Sequence, residues 1–551
     1  TARSTGLGIR ALGDQEFEIT KAIDCMTKYC EMVIDPMRIR FCLEKALYLA
    51  QTGRPGPCWL DIPLNVQGAY VETEELLGFD KNDYEAGGTG WSVHGSGCDG
   101  CGLCAGKLIQ GKPAMIPEDE AGKGEKRELL PPSVSLDLAR EIVKKVREAK
   151  RPVINAGNGI RIGKAFDVFQ RVVEMLGIPV VTGWNSLDCM YDSHPLYVGR
   201  AGHMGDRPGN FAVQNCDLLL SLGSRLSIRQ VGYNYPTWAR EAYVIYNDID
   251  AEELKKPTVH VDMPVHADVK DLLEKMEMVL EVEAVSADGG PKDKEAVDWW
   301  ISRCQQWKEK YPVVLPKHYE AGEDQPANIY AAIKEISRRA EEDQITVVGN
   351  GSPCVVGGHA YEMKKGQRFI SNSAIASMGY DLPAAIGACL ADHTKDIILV
   401  TGDGSIQMNL QELQTIIHNH LPIKIFLINN GGYHSIRQTQ KNFFGEPLIG
   451  IGVDSGDLGF PSMEKLAWAY GFPYVAIHGN KELGEKVEET LAMDGPVICE
   501  VFVTLDQNFE PKSAAKRLPD GTLVSPPLED LSPFLPDEEM DRIMLIPRIK
   551  K

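Results

Sequence analysis

Ile397-Ile398-Leu399-Val400-Thr401-Gly402-Asp403-Gly404-Ser405 is the stretch whose reading decides the fold. Four consecutive apolar residues bounded by a Gly-rich turn predict a buried strand. A helix-length stretch, Ile406 to His418, follows, and a second apolar run, Ile423 to Ile428, ends in Asn429-Asn430. Together these form one βαβ unit, with a carboxylate at one strand end and a carboxamide at the next. In a parallel sheet such ends lie side by side, where ligands bind. Hard oxygen donors there suit a magnesium ion bridging to a diphosphate. The glycines let backbone N–H groups come close to phosphate.

Around this unit the rhythm of strand and helix repeats. Residues 135–290 alternate them (Leu136–Ala149, Pro152–Asn155, Phe166–Leu176, Pro179–Thr182, Leu218–Leu222, Ala242–Asp248), and residues 325–510 do so again. Alternation of this kind predicts an α/β protein of doubly wound parallel sheets. Residues 1–75 hold a helix, a Gly-Arg-Pro-Gly-Pro turn and a strand at Cys58–Ile62. Residues 76–134 are polar and Gly-rich, 291–324 read as a helical linker, and 511–551 form a Pro-rich, acidic tail. Trp299, Trp300 and Trp307 fall at near-helical spacing in the linker, which predicts packing rather than chemistry.

Composition narrows the function. The chain is 43% apolar and 25% charged, with a net charge of −20. That charge argues against nonspecific nucleic-acid binding and against a polybasic membrane surface. No apolar run approaches the ~18 residues of a membrane span. Most of the 13 Cys lie singly in apolar stretches, the pattern of reduced thiols, so a cytoplasmic location is expected.

The residues also carry a family resemblance. Gly402-Asp403-Gly404-Ser405, with Asn430 27 residues after Asp403, resembles the thiamine diphosphate (ThDP) fingerprint. Ser373-Ala374-Ile375-Ala376-Ser377-Met378-Gly379-Tyr380-Asp381-Leu382-Pro383 resembles the segment preceding it in acetolactate-synthase-like enzymes. Thr52–Pro57, Asp61-Ile62-Pro63, Asn65-Val66-Gln67, Gly13–Glu16 and Thr27-Lys28-Tyr29 fit in the same order. The resemblance implies three α/β domains: the two ThDP-binding folds and a central Rossmann-like domain. It implies that Asp403, Asn430 and the Gly432 carbonyl complete a Mg2+ site. It gives the diphosphate to Asn350, Gly351, Gly404 and Ser405. Met378 becomes the wedge beneath the folded cofactor, the Ala376 carbonyl accepts from its aminopyrimidine, and Gln15 sits near the reacting carbon. Met378 also has a reading as a core filler, with the wedge favoured, and Gln15 reads equally as an ordinary loop residue. Glu412 and His434 read as structural. The implied activity is decarboxylation of a 2-keto acid such as pyruvate and transfer of the resulting aldehyde, in a homodimer or homotetramer.

Three departures from the family stand out. The chain starts beyond the point where the family places its activating Glu, so no Glu here takes that role. A fragment is the expected explanation, with a split enzyme as the alternative. Cys98, Cys101 and Cys104 have iron–sulfur spacing but no fourth Cys nearby, which leaves metal binding open. FAD is also left open. Gly157-Asn158-Gly159, Gly223-Ser224-Arg225, Asp248-Ile249-Asp250 and the Gly199–Gly205 loop match flavin landmarks that flavin-free relatives share. Leu64 stands where acetolactate synthases carry a Lys. Two rivals therefore stay in view: a ThDP oxidoreductase with a Cys-bound cluster, and a non-catalytic ThDP-binding subunit. The tail is expected to fold over the site as a lid.

Overall fold

The structure is a computed structural model that describes residues 8, 9, 11–13, 15–92, 131–284, 290–320, 322, 325–392, 395–517 and 523–549. Cys98, Cys101 and Cys104 lie outside the described residues. The chain divides into two compact units, residues 1–4 with 16–130 and residues 5–15 with 131–551.

In the smaller unit, β1 (Tyr29–Met32), α1 (Ile39–Gln51) and β2 (Cys58–Asp61) form a βαβ turn whose strands pair in parallel. Asp35 caps the start of the helical segment by accepting from Met37 N (3.0 Å). The ammonium of Lys28 donates to the carbonyls of Leu49, Thr52 and Arg54 (2.6, 2.5 and 2.9 Å). It thereby collects the unpaired carbonyls where α1 ends and the Gly-Arg-Pro-Gly-Pro turn begins. The polar stretch after residue 75 is more regular than its composition predicts. It contains a helix at Lys81–Glu85, capped by Asp80. Leu64 is exposed at the start of a short helix, Leu64–Gln67.

The larger unit contains two six-stranded, wholly parallel sheets. The first follows α2 (Leu136–Glu148). It comprises β3 (Pro152–Ala156), α3 (Phe166–Leu176), β4 (Val180–Thr182), β5 (Tyr197–Arg200), α4 (Arg207–Asn215), β6 (Leu218–Leu222), β7 (Tyr243–Asp248), β8 (Met263–His266) and α5 (Val269–Ala284). Its strand order is β8-β7-β6-β3-β4-β5. Successive strand residues point to opposite faces. Ile154, Leu218 and Leu220 pack against α2, α3 and α5, whereas Val153, Leu219 and Val244 pack against α4 and α6 (Lys294–Lys310). Trp300 and Trp307 of α6 are buried and meet edge to face at 5.6 Å, but Trp299 is half exposed. A period of 3.6 residues cannot turn adjacent positions 299 and 300 to the same face.

The second sheet comprises α7 (Ile329–Arg339), β9 (Ile345–Val348), α8 (Ser352–Ala360), β10 (Arg368–Ser371), α9 (Asp381–Ala391), β11 (Ile397–Gly402), α10 (Glu412–His418), β12 (Ile423–Asn429), α11 (His434–Phe443), α12 (Met463–Tyr470), β13 (Tyr474–Ile477), α13 (Leu483–Ala492) and β14 (Val497–Phe502). Its order is β10-β9-β11-β12-β14-β13. The predicted βαβ unit is present, with Gly402 of β11 in register with Ile428 of β12. The helix predicted from Ile406 to His418 is instead divided into one turn at Asp403–Ile406, a 3₁₀ turn at Gln407–Asn409, and α10. Asn409 Nδ2 donates to Gly379 O (2.7 Å), drawing the segment toward the neighbouring loop.

Among the described residues, the tail does not line the cavities and so does not form the expected lid. Leu528, Met540, Ile543 and Met544, the last three on or beside α14 (Asp537–Ile543), join the core beside Trp300 and Trp307. Glu529 accepts from Gln214 Nε2 and pairs with Arg240. Among the described residues no helix is long and apolar enough to cross a membrane, and the described cysteines are free.

Residues of the two sheets meet at a buried polar set. Arg200 at the end of β5 donates to the His359 carbonyl (2.8 Å) and pairs with Asp192 (3.2 Å). His359 Nε2 faces Met204 O (2.5 Å), and its Nδ1 faces the Tyr330 hydroxyl (3.2 Å). Burial lowers the His359 imidazole to about 3, so the folded protein holds it neutral. In the unfolded chain it titrates near 6.5. Its contribution is therefore fully present above about pH 6.5 and is lost as pH falls toward 3. Replacing His359 with Gln should reduce the acid slope of unfolding free energy, between about pH 4 and 6, by about 1.4 kcal/mol per pH unit. Denaturant titrations across that range measure it, and an unchanged slope would contradict a neutral buried imidazole.

Candidate functional site

Both sheets start from an interior strand and grow outward in two directions. In the second sheet the chain goes from β9 to β10 on one side, then crosses to β11 on the other. Connections leaving β9 and β11 therefore run to opposite faces, and a crevice opens between their C-terminal ends. A cavity of about 370 Å³ lies here.

Its lining brings together every residue to which the resemblance gave a cofactor or metal role: Gln15, Asn350, Gly351, Ala376, Met378, Asp403, Gly404, Ser405, Asn430 and Gly432. Each arrives from a definable place. Asn350 and Gly351 form the turn from β9 into α8. Ala376 and Met378 lie in the loop between β10 and α9. Asp403, Gly404 and Ser405 follow β11, and Asn430 and Gly432 follow β12. Gln15 Nε2 donates to Ile375 O (3.1 Å), next to Ala376. Ala376 has a left-handed backbone (φ 58°), a conformation that turns its peptide sharply between Ile375 and Ser377.

Asp403 joins the turns. Its Oδ1 accepts from Gly404 N (2.8 Å) and its Oδ2 from Gly432 N (3.0 Å). It forms no ion pair among the described residues. Burial pushes its carboxyl up to about 6 even though backbone donors oppose the shift. Asn430 gives its Nδ2 hydrogen to Ser352 Oγ (3.0 Å), while its Oδ1 is buried and without a partner among the described residues. A buried carboxylate and a buried carboxamide oxygen with accepting capacity to spare are hard donors of the kind that suit a divalent cation. Ser405 Oγ accepts from Gly379 N (3.0 Å), which leaves its hydrogen for an anion. The first turn of α8 adds the positive end of a helix dipole.

Glycine is required at 404 because a Cβ there would overlap the Tyr433 ring. Beyond the turns, Arg437 is buried and held by a two-point pair with Asp454 (2.8 and 2.9 Å). Its remaining hydrogens reach Asn430 O (3.2 Å) and Gly431 O (3.3 Å). His434 also lines the cavity, with Nε2 facing Gln507 O (2.6 Å), and burial lowers its imidazole. Glu412 is not in the lining.

Sequence reasoning missed Ser352, Tyr433 and Arg437, together with Trp184 and Arg229 at the cavity wall. Ser352-Pro353 had a readable signal, since Pro marks a first helical turn. The others carried none, because their roles depend on the folded course of the loops and not on a local sequence pattern.

A second cavity, of about 460 Å³, occupies the equivalent crevice of the first sheet, between β3 and β6. Gly157-Asn158-Gly159, Gly223-Ser224-Arg225 and Asp248-Ile249-Asp250 all line it. The Gly199–Gly205 loop does not. It lies behind Arg229, whose carbonyl accepts from His203 N (2.9 Å). Burial raises the Asp248 carboxyl. Trp184, Arg229 and Ser373 line both cavities.

Comparison with known proteins agrees with this geometry. Residues 349–501 match the model of the thiamine pyrophosphate enzyme C-terminal TPP binding domain, and residues 139–276 that of the thiamine pyrophosphate enzyme central domain. The chain is 28% identical over 500 residues to an acetolactate synthase large subunit of Cyanidium caldarium, covering 91% of this chain and 76% of that protein. It is 29% identical over 489 residues to an acetolactate synthase large subunit of Lactococcus lactis subsp. lactis, covering 88% and 73%. It is 28% identical over 485 residues to a probable acetolactate synthase large subunit of Methanococcus aeolicus, covering 87% and 71%.

Crowding at Gly404 can be measured directly. Gly404→Ala should destabilise the protein by about 1–3 kcal/mol through overpacking. In a double-mutant cycle with Tyr433→Ala, most of that cost should disappear. Purely additive losses in denaturant titrations would show that the methyl group meets something other than the ring.

Proposed function

Since the chain belongs to the thiamine pyrophosphate enzyme family and is acetolactate-synthase-like, we propose that it is a ThDP- and Mg2+-dependent carbon–carbon lyase or ligase. Its substrate would be a 2-keto acid of the pyruvate class, decarboxylated and then relieved of its two-carbon or longer aldehyde unit by an acceptor. The observation that carries this reading is the convergence of three strand-end turns on one crevice lined by Asp403 and Asn430, whose Oδ1 is buried and has no partner among the described residues.

The residues present suit the group. Asp403, Asn430 and the Gly432 carbonyl would hold the metal. Asn350, Gly351, Gly404 and Ser405 would hold the diphosphate. Met378 would support the cofactor from beneath, and the Ala376 carbonyl would accept from its aminopyrimidine. When bound, ThDP supplies an electron sink for loss of carbon dioxide from a 2-keto acid. The rest is done by the chain. Gln15 presents an amide beside Ala376. Arg229 offers a cation in the wall to a substrate carboxylate, a pairing strengthened in a partly desolvated cleft. Trp184 and Met378 supply apolar surface that keeps water from the reacting centre.

The proposal extends to architecture and to a second ligand. We read residues 1–75 as part of a pyrimidine-binding domain, and 135–290 and 325–510 as central and diphosphate-binding domains, in a cytoplasmic homodimer or homotetramer. Phe443 and Phe444, 61% and 66% exposed, support burial against another copy. The cavity between β3 and β6 has the Gly-rich turns and strand-end carboxylates that suit a dinucleotide such as FAD.

Two experiments test these points. The first gives the purified protein ThDP, Mg2+ and a panel of 2-keto acids, with carbon dioxide and ligated product as readouts. Asp403→Ala should abolish Mg2+-dependent retention of ThDP; a variant that keeps its ThDP would refute the metal assignment. Wild-type protein that retains ThDP and Mg2+ but releases no carbon dioxide from any 2-keto acid would favour a binding subunit. The second is sedimentation with absorbance detection, expected to find a dimer or tetramer carrying flavin absorption. A colourless monomer would overturn both extensions.

A further inference from the structure

Asp381, the first residue of α9, is fully buried (0% exposed). One of its carboxyl oxygens accepts from the Thr401 hydroxyl, two residues before Asp403. The same oxygen fills the space where a Cβ on Gly349 would be, immediately before Asn350 and Gly351. Gly349 in turn donates its N–H to Val400 O (2.8 Å), closing a ring between the ends of β9 and β11. Asp381 itself follows Met378 by three residues. A single side chain thus touches, or is joined by a short stretch of chain to, each of three segments: the Asn350 turn, the Met378 loop and the Asp403 turn.

Stability alone gives a poor account of this residue. Its other oxygen is buried and has no partner among the described residues. Burying a carboxyl that uses only part of its accepting capacity is costly, and the dipole of α9 offsets only part of that. An apolar side chain of similar volume fills such a space at lower cost. What the apolar side chain cannot do is accept from Thr401, and that hydrogen bond orients the backbone leading into Asp403.

We propose that Asp381 is a positioning residue for the cofactor site. Through Thr401 it fixes the direction of the turn that carries Asp403. Through its contact with Gly349 it sets that turn's spacing from Asn350 and Gly351. The metal-binding and diphosphate-binding groups are thereby held in register before either ligand arrives. This inference rests on the ThDP and Mg2+ reading above.

Affinity of the ThDP-free protein for ThDP in the presence of Mg2+, followed by tryptophan fluorescence or calorimetry, tests it without reference to turnover. Asp381→Ala and Thr401→Val should each weaken binding by about 10–100-fold, the range for residues that orient a metal's ligands. The double variant should bind no worse than the weaker single variant, because both changes remove the same hydrogen bond. Asp381→Asn, whose amide oxygen still accepts from Thr401, should restore most of the affinity. Losses that add in the double variant overturn the inference, as does a lowered melting temperature with wild-type affinity in all variants. Wild-type protein that binds no ThDP overturns the functional reading and this inference together. Wild-type binding with unaffected variants overturns this inference alone.

Discussion

Reversal of strand order is the constraint on which the rest of the structure depends. A parallel sheet grown outward from an interior strand in both directions must send the connections on its two sides to opposite faces, because right-handed crossovers allow no other path. Between β9 and β11 the loops part, and polar backbone at the strand ends faces a gap rather than a neighbouring loop. The same reversal between β3 and β6 opens the second cavity. Neither crevice needs a special device to create it. The sequence has only to furnish the edges with suitable groups.

Those edges are unequal in chemistry. Around β11 and β12 the donors are hard oxygens and backbone N–H groups, with one carboxylate that burial disfavours in its charged form. Support comes from outside the cavity. Buried Arg437, paired with Asp454 at the surface, holds the backbone of Asn430 and Gly431 in place, and Ser352 holds the Asn430 amide. Such a pair contributes little net stability, since desolvation of the guanidinium on one side and solvent screening of the carboxylate on the other offset the attraction. Its value lies in specifying one arrangement of a glycine-rich turn that would otherwise have several.

The parts of this arrangement that were legible in sequence share a property: each is local. A run such as Ile397–Val400 declares a strand, and the turn behind it declares polar groups at its end. The pairing of β11 with β12 followed from the one helix-length segment between them. What could not be read depends on contacts set by the folded course of the loops. Nothing near Tyr433 says that it abuts Gly404, and nothing near Arg437 says that its carbonyl partners are Asn430 and Gly431. Tertiary forces also broke two local expectations. The predicted helix after Ser405 is interrupted where Asn409 bonds Gly379, and the Pro-rich tail was drawn to the apolar surface around Trp300 and Trp307 instead of the cleft. The Gly199–Gly205 loop has the composition of a ligand-binding turn, but packs behind Arg229 and does not line the cavity.

The close contacts of glycine with its neighbours have a further meaning for how such a protein changes over time. At Gly349 and Gly404 the space a side chain would need is already taken, by Asp381 and by Tyr433. At Gly157 it is taken by the backbone of Gly223. The floors of both cavities are therefore defined by atoms that must be absent, and such positions have no smaller residue to retreat to. Variation that preserves the fold is left to the walls, where Trp184, Arg229, Cys354 and Val355 present side chains of ordinary size. Cofactor recognition is thereby insulated from drift, while the surface that meets the rest of a ligand stays free to diversify.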